Sequence, residues 1–193
     1  MAWKKAGYNT LGSANANISV TGISTNIFYQ SINHVFATSG NVAIATSYNG
    51  DTATTSNRYA MRKNNNGTED PLHSRDEIYL TAGDTEIFGI AYHVFISGEE
   101  KLMIGHAVGK GTGNNQPNKN KVVGKYVPTD LTDTMSSMNI EAQNSSNTYT
   151  SDSNLSVIGS DGTESMRIQD GAIYYETDTN KEYVLYNNTW TEV

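Results

Sequence analysis

The sequence predicts an all-β protein: one β-sandwich of roughly ten strands, followed by a small C-terminal β-hairpin module. Three observations predict it. Short apolar runs with period-two alternation recur along the chain, separated by Gly, Asn and Asp turn signals at the spacing of a sandwich. No stretch of a dozen residues carries apolar positions at helical spacing between caps. Ser, Thr and Asn supply 62 of the 193 residues; their short side chains compete for backbone hydrogen bonds, which favours turns and solvated strand faces over helix interiors.

The elements follow in order. Ile18, Val20 and Gly22 alternate with Ser19 and Thr21 as a first strand, and Phe28 to Ala37 is strand-like throughout. In Val42 to Tyr48, the residues Val42, Ile44, Thr46 and Tyr48 share one face, and Asn49-Gly50-Asp51 turns the chain. Tyr59 and Met61 mark a short strand. Residues 64 to 73 read as a loop, because Pro71 cannot take a central strand position. Ile78 to Leu80 is short. The clearest pair is a hairpin, Glu86 to Ser97 and Lys101 to Lys110 around Gly98-Glu99-Glu100, with Ile96 expected opposite Lys101.

Side-chain bulk assigns the faces of that hairpin. Phe88, Ile90, Tyr92, Val94 and Ile96 are expected to point into the sandwich. Gly89, Ala91, His93 and Phe95 form a smaller face, expected under a neighbouring subunit or the C-terminal module. Gly109 to Asn120 reads as a loop, and the lysines at 119, 121 and 125 as solvated loop charges. Lys121 to Val127, Met135 to Gln143 and Asn154 to Gly159 complete residues 1–160, and a polar, acidic linker covers 161–170. In 171–193, Ala172 to Glu176 and Glu182 to Tyr186 flank the turn Asp178-Thr179-Asn180-Lys181, ahead of Trp190. A module this small is not stable alone, so it is expected to dock on the sandwich or on another chain.

Composition narrows the function. There is no cysteine, hence no disulfide framework and no Cys-based zinc site. The net charge of −7 argues against a nucleic-acid surface, which needs clustered Lys and Arg. No window has the length of a transmembrane helix, and Met1 to Gly22 lacks the apolar core of a signal peptide. The expectation is cytoplasmic synthesis without export, no membrane insertion, and no cofactor.

Several segments, in this order, carry a resemblance. They are Leu11-Gly12-Ser13, Ile18 to Ile23, the turn at Asn49-Gly50-Asp51 with Asn57-Arg58-Tyr59, and Ile90 to Ile96 with Glu100-Lys101. Val123-Gly124-Lys125 and Ser153 to Gly159 follow. Over about residues 3 to 160 this pattern resembles a group of tailed-phage virion proteins, common in marine phages and built on a jelly-roll-like β-sandwich. Residues Gly171 to Thr179, with Tyr183, Tyr186 and Trp190, resemble a second phage element. That element is a hairpin module with a Thr-Asp-Thr turn and a closing Trp, found in tail-fibre and head-decoration proteins. The resemblance implies a virion location, contacts with other virion proteins and a homo-oligomer, with a trimer favoured.

Candidate sites are few. In the expected hairpin register His93 lies opposite Ile104 and diagonal to His106, so the two imidazoles, with His34, could begin a zinc or nickel site. The alternative is half-buried histidines bonded to hydroxyls or backbone. The carboxylate pairs Glu69-Asp70, Asp76-Glu77 and Glu99-Glu100 are adjacent in sequence and so point to opposite strand faces, which is no acid/base couple. Asp152-Ser153-Asn154 and Asp161 to Glu164 have the oxygen density of a calcium loop without its spacing. Gly109 to Gly113 lacks the spacing of a phosphate loop, and no Gly-x-Ser-x-Gly elbow is present. Twelve tyrosines against four phenylalanines suit rings that meet partner chains or sugars. Tyr174, Tyr175, Tyr183, Tyr186, Trp190 and Phe95 are therefore the expected contact residues, for another subunit or a surface glycan. Of three functions weighed, the expectation is a non-enzymatic virion structural subunit, with a carbohydrate- or receptor-binding module as the alternative; a polysaccharide-degrading enzyme would need paired carboxylates across a cleft, and no spacing here points to such a pair.

Overall fold

The structure is a computed structural model that describes residues 3–51, 58–65, 67–80, 84–111, 116–142, 147–161, 171–187 and 189–193. Among them are fifteen strands and no helix. In chain order the first eight are β1 (Lys4–Thr10), β2 (Asn17–Thr21), β3 (Phe28–Phe36), β4 (Ile44–Tyr48), β5 (Tyr59–Asn65), β6 (Thr68–Arg75), β7 (Ile78–Tyr79) and β8 (Glu86–Val94). Then come β9 (Lys101–Gly109), β10 (Asn118–Tyr126), β11 (Ser137–Ala142), β12 (Asn154–Ser160), β13 (Ile173–Glu176), β14 (Lys181–Tyr186) and β15 (Thr189–Glu192).

The chain divides into two compact units, Trp3–Gly162 and a C-terminal unit from Thr163 to Val193. The first is an antiparallel sandwich of unequal sheets. An eight-stranded sheet runs β1-β12-β3-β8-β9-β10-β5-β6, and a four-stranded sheet runs β2-β11-β4-β7. The twelve strands slightly exceed the expected ten. One reason is that residues 64 to 73 are not a loop: β5 and β6 form a hairpin through Gly67 (φ 101°). Pro71 fits because β6 is the sheet's edge, where a missing N–H costs no ladder bond. The Asn49-Gly50 turn is as expected, with φ of 56° and 71°, the left-handed pair that matches the twist of flanking strands.

The small sheet supplies one wall of the core. Ile18 and Val20 of β2, Met138 and Ile140 of β11, Ile44 and Tyr48 of β4, and Ile78 of β7 all face inward and are buried. The large sheet answers with Tyr29 and Val35 of β3, Ile87 and Ala91 of β8, Met103 and Ala107 of β9, Val122 and Tyr126 of β10, and Leu155 and Val157 of β12. Val42, Ile44, Thr46 and Tyr48 share the buried face that their alternation indicates.

The hairpin β8–β9 departs from expectation twice. Its register is one residue off: His93 faces Met103, Val94 faces Leu102 and Ile90 faces His106. Its faces are also reversed. Ile87, Gly89, Ala91 and His93 point inward, and Phe95 follows at 3 % exposure, whereas Phe88 is 43 % exposed. The cause is close sheet approach. A Cβ on Gly105 would lie 2.5 Å from Leu80 Cδ1, and one on Gly124 would lie 2.9 Å from Ile78 Cδ1. The interior has room for glycine and alanine in these columns because Leu80 and Ile78 pack onto the backbone itself. The bulkier set is left outside.

The C-terminal unit is a three-stranded antiparallel sheet, β13-β14-β15. Asn180 and Asn187 take φ of 54° and 48° in its turns. Of the expected linker 161–170 and the candidate loop Asp161 to Glu164, all but Asp161 lie outside the described residues.

Candidate functional site

The outward face of the large sheet can be read as rows across its strands. One row runs His34, Phe88, Val108, Lys119; the next Ile32, Ile90, His106, Lys121. The third is Gln30, Tyr92, Ile104, Val123, and the fourth Phe28, Val94, Leu102, Lys125. The two central columns are therefore almost wholly apolar. Phe88, Tyr92, Leu102, Ile104, Val108 and Val123 are all exposed, Ile104 at 56 %. With Ile96 they leave on the order of 600 Å² of side chain open to solvent, at the top of the range for the largest patch on a monomer.

Charges sit at the ends of this strip. At one end Glu86 Oε1 lies 3.0 Å from His34 Nε2 and Glu86 Oε2 lies 3.6 Å from Lys110 Nζ. At the other, Lys125 Nζ lies 2.9 Å from Glu100 Oε2. Lys119, Lys121 and Lys125 are not loop residues; they alternate along the outward face of β10. A hydrophobic centre with a polar rim is the anatomy of a protein–protein contact.

The candidate histidine site does not form. His93 is 1 % exposed on the inward face and His106 is exposed on the outward one, so the sheet separates them. His34 is outward too, with its ring against Phe88. Among the described residues no three His, Asp or Glu side chains converge as a metal cluster.

His93 instead joins a buried polar network. Its Nε2 lies 2.9 Å from Ser31 Oγ and its Nδ1 2.9 Å from Tyr48 Oη. Burial holds its pKa down at about 3, so the ring is neutral and one of its nitrogens accepts. A serine beside a histidine is the pairing of nucleophile and base, but Ser31 is buried with it, beyond a substrate's reach. Next to this pair, the Tyr59 hydroxyl accepts from the Tyr48 N–H and donates to the Asp51 carbonyl. The Tyr126 hydroxyl donates to Asp51 Oδ2, which also takes Arg58 Nη1 at 2.9 Å. The Tyr59 and Tyr126 rings stack at 4.7 Å. Burial, first of all, raises the pKa of Tyr48, Tyr59 and Tyr126. The network ties the two sheets together with its hydroxyls protonated.

Phe95, an expected contact residue, belongs to this interior. Its ring meets Tyr48 edge-on at 5.1 Å and Tyr29 at 5.8 Å. It is core, for the reason given for the reversed faces of β8. Lys101 is drawn in as well: its Nζ donates to the carbonyls of Ile96 (2.7 Å) and Leu131 (2.6 Å), closing the end of the hairpin.

The other five expected contact residues lie on the C-terminal sheet, and the strand register sorts them. Tyr174, Tyr183 and Trp190 share one face, with ring centroids 6.1 Å (Tyr174–Tyr183) and 6.0 Å (Tyr174–Trp190) apart around the buried Leu185. Glu176 and the Lys181–Glu192 ion pair (2.9 Å) end that face. Tyr175 and Tyr186 point the other way, with Ile173 and Val184. Both faces thus carry exposed rings.

One pairing was invisible in the sequence. Glu77, at 8 % exposure just before β7, contacts Glu141 of β11, 64 positions away. Burial, then the charge and hydrogen bond of Glu141, then Asp76, raise the Glu77 pKa to about 7. No local spacing signals it, because strand pairing through β4 brings these residues together.

Comparison with known proteins returns no protein family, curated protein or solved structure that matches the chain.

Proposed function

We propose that the chain is a non-enzymatic assembly subunit that associates with further copies of itself through the outward face of β8, β9 and β10. The observation that carries this reading is the apolar strip of Phe88, Tyr92, Leu102, Ile104, Val108 and Val123, rimmed by the Glu86–Lys110 and Glu100–Lys125 ion pairs. Its exposed area approaches the roughly 800 Å² per partner of a standard interface. The strip carries no carboxylate at its centre, so a second copy with the same net charge of −7 can meet it without burying like charges. We read such a subunit as a head-decoration, fibre or tail component of a tailed-phage particle, with a trimer favoured, a reading supported by the resemblance noted from the sequence.

Analytical ultracentrifugation tests the association. The wild type should sediment as a closed oligomer, and Ile104→Lys should shift it to monomer with unchanged far-UV circular dichroism. A wild type that stays monomeric at high concentration overturns the reading. Mass spectrometry of purified particles tests the location; finding the chain only in the soluble part of a lysate excludes it from the virion.

A second reading, glycan binding, is favoured by one observation. Tyr174 and Trp190 are exposed on the same face beside Glu176, which offers a ring surface and an acceptor to a sugar. A glycan array with wild type and Trp190→Ala would separate it from pure assembly.

A further inference from the structure

The outer face of the small sheet gathers oxygen atoms. Glu141 pairs across from Ala45 and Asn139 across from Ser47. On the other side of β4, Ala45 faces Tyr79 and Thr46 faces Ile78. One residue further along that antiparallel ladder, Glu77 falls beside Ser47. Alternation then sets Glu77, Ser47, Asn139 and Glu141 on one face, opposite to the core face of Thr46 and Ile78. Because Ala45 and Ser47 are small, the two glutamates meet across the central strand.

Two polar atoms here have no protein partner. Ser47 is 0 % exposed, yet its Oγ makes no hydrogen bond; Glu77 Oε1 is likewise buried and unpaired. Buried polar groups in folded proteins are satisfied with few exceptions. Two facing carboxylates with an unpaired hydroxyl between them are a donor set for a positive ion. All the donors are oxygens, which suits calcium or magnesium and not zinc or copper. The larger, geometrically tolerant calcium ion fits a set of donors drawn from two strands, β4 and β11, and the residue before β7.

We propose that Glu77, Glu141 and Ser47 form a calcium-binding site on the outer face of the small sheet, with Asn139 Oδ1 as a further oxygen. Asn139 Oδ1 accepts from Ser19 Oγ at 2.8 Å, which orients the amide and leaves its second lone pair available. Asp76 adds its negative charge nearby. Two charged ligands place the affinity in the weak range of extracellular calcium modules, roughly 10⁻⁴ to 10⁻³ M.

Terbium luminescence on the full-length, EDTA-treated protein at neutral pH tests the site. Tyr79 shares the face, and Tyr149 feels the charge of both glutamates, so tyrosine excitation should sensitise a bound Tb³⁺. The wild type should show saturable emission that calcium displaces, together with a calcium-dependent rise in Tm. Glu77→Gln and Glu141→Gln should each weaken binding at least tenfold. Lowering the pH through the range of Glu77, with Glu141, Asp76 and Tyr149 around it, should release the ion as protons compete. Failure of wild type to bind up to about 10 mM, above the weakest calcium modules, overturns the proposal, as does binding undiminished in the double Gln variant. A Tm that responds to acidification and not to calcium would also overturn it, making a shared proton the occupant. The displacement and pH arms use wild type alone, so they decide even where a variant fails to fold.

Discussion

Phe95 and Phe88, seven residues apart on one segment, should respond to truncation in opposite ways. Phe95 is 3 % exposed and meets Tyr48 and Tyr29 edge-on. A buried Phe→Ala change costs about 3–5 kcal/mol through lost transfer energy and the cavity left behind, so Phe95→Ala should cost about 4 kcal/mol. Phe88 is 43 % exposed, and its ring meets His34 edge-on at 6.4 Å. It buries about half of a side chain worth roughly 1.5–3 kcal/mol, so Phe88→Ala should cost about 1 kcal/mol in the isolated chain. Urea unfolding followed by circular dichroism, at a concentration below association, measures both, since association would add its own stability. Phe95→Leu provides a milder variant if the alanine protein does not fold. At higher concentration the order should reverse, with Phe88→Ala weakening association and Phe95→Leu leaving it intact. A Phe88→Ala cost above ~3 kcal/mol with Phe95→Ala below ~1 kcal/mol would mean that β8 faces the other way.

Three further outcomes follow from buried groups and close contacts. His93 is held neutral, with a folded pKa of about 3 below the ordinary value of 6.5. Its contribution is fully present above pH 6.5 and is lost as pH falls towards 3, by at most about 1.4 kcal/mol per pH unit; His93→Gln should flatten that part of a stability–pH curve. Glu77 acts in the opposite sense, its folded pKa of about 7 lying above the ordinary 4.5. The unpenalised acid form persists below pH 4.5 and stability is lost as pH rises through 7. In chelator, Glu77→Gln should therefore be more stable than wild type above pH 7, by about 2 kcal/mol after allowance for partial solvent screening, and equal to it below pH 4.5. Gly105→Ala should cost about 1–3 kcal/mol by overpacking, because the new methyl would lie 2.5 Å from Leu80 Cδ1 and 2.9 Å from Met103 Cε; an unchanged urea midpoint would mean that the sheets are further apart than described.

Local chemistry alone determined the all-β class, most of the strands, and the turn at Asn49-Gly50, because alternation and left-handed turn residues act within a few positions. The inward set of Val42 to Tyr48 was also legible, since there the bulky residues are the buried ones. On β8 the same rule points the wrong way. Whether Phe88 or Phe95 faces the core depends on how closely Leu80 and Ile78 approach the glycines of the large sheet. That distance is set by residues far away in the chain. The hairpin register has the same character, for a slip of one residue leaves the local pattern intact while exchanging every partner. Tertiary structure alone separated His93 from His106, gathered Tyr174, Tyr183 and Trp190 on one face, and joined Glu77 to Glu141. Strand order, which no local alternation encodes, decides which side chains meet across a sheet.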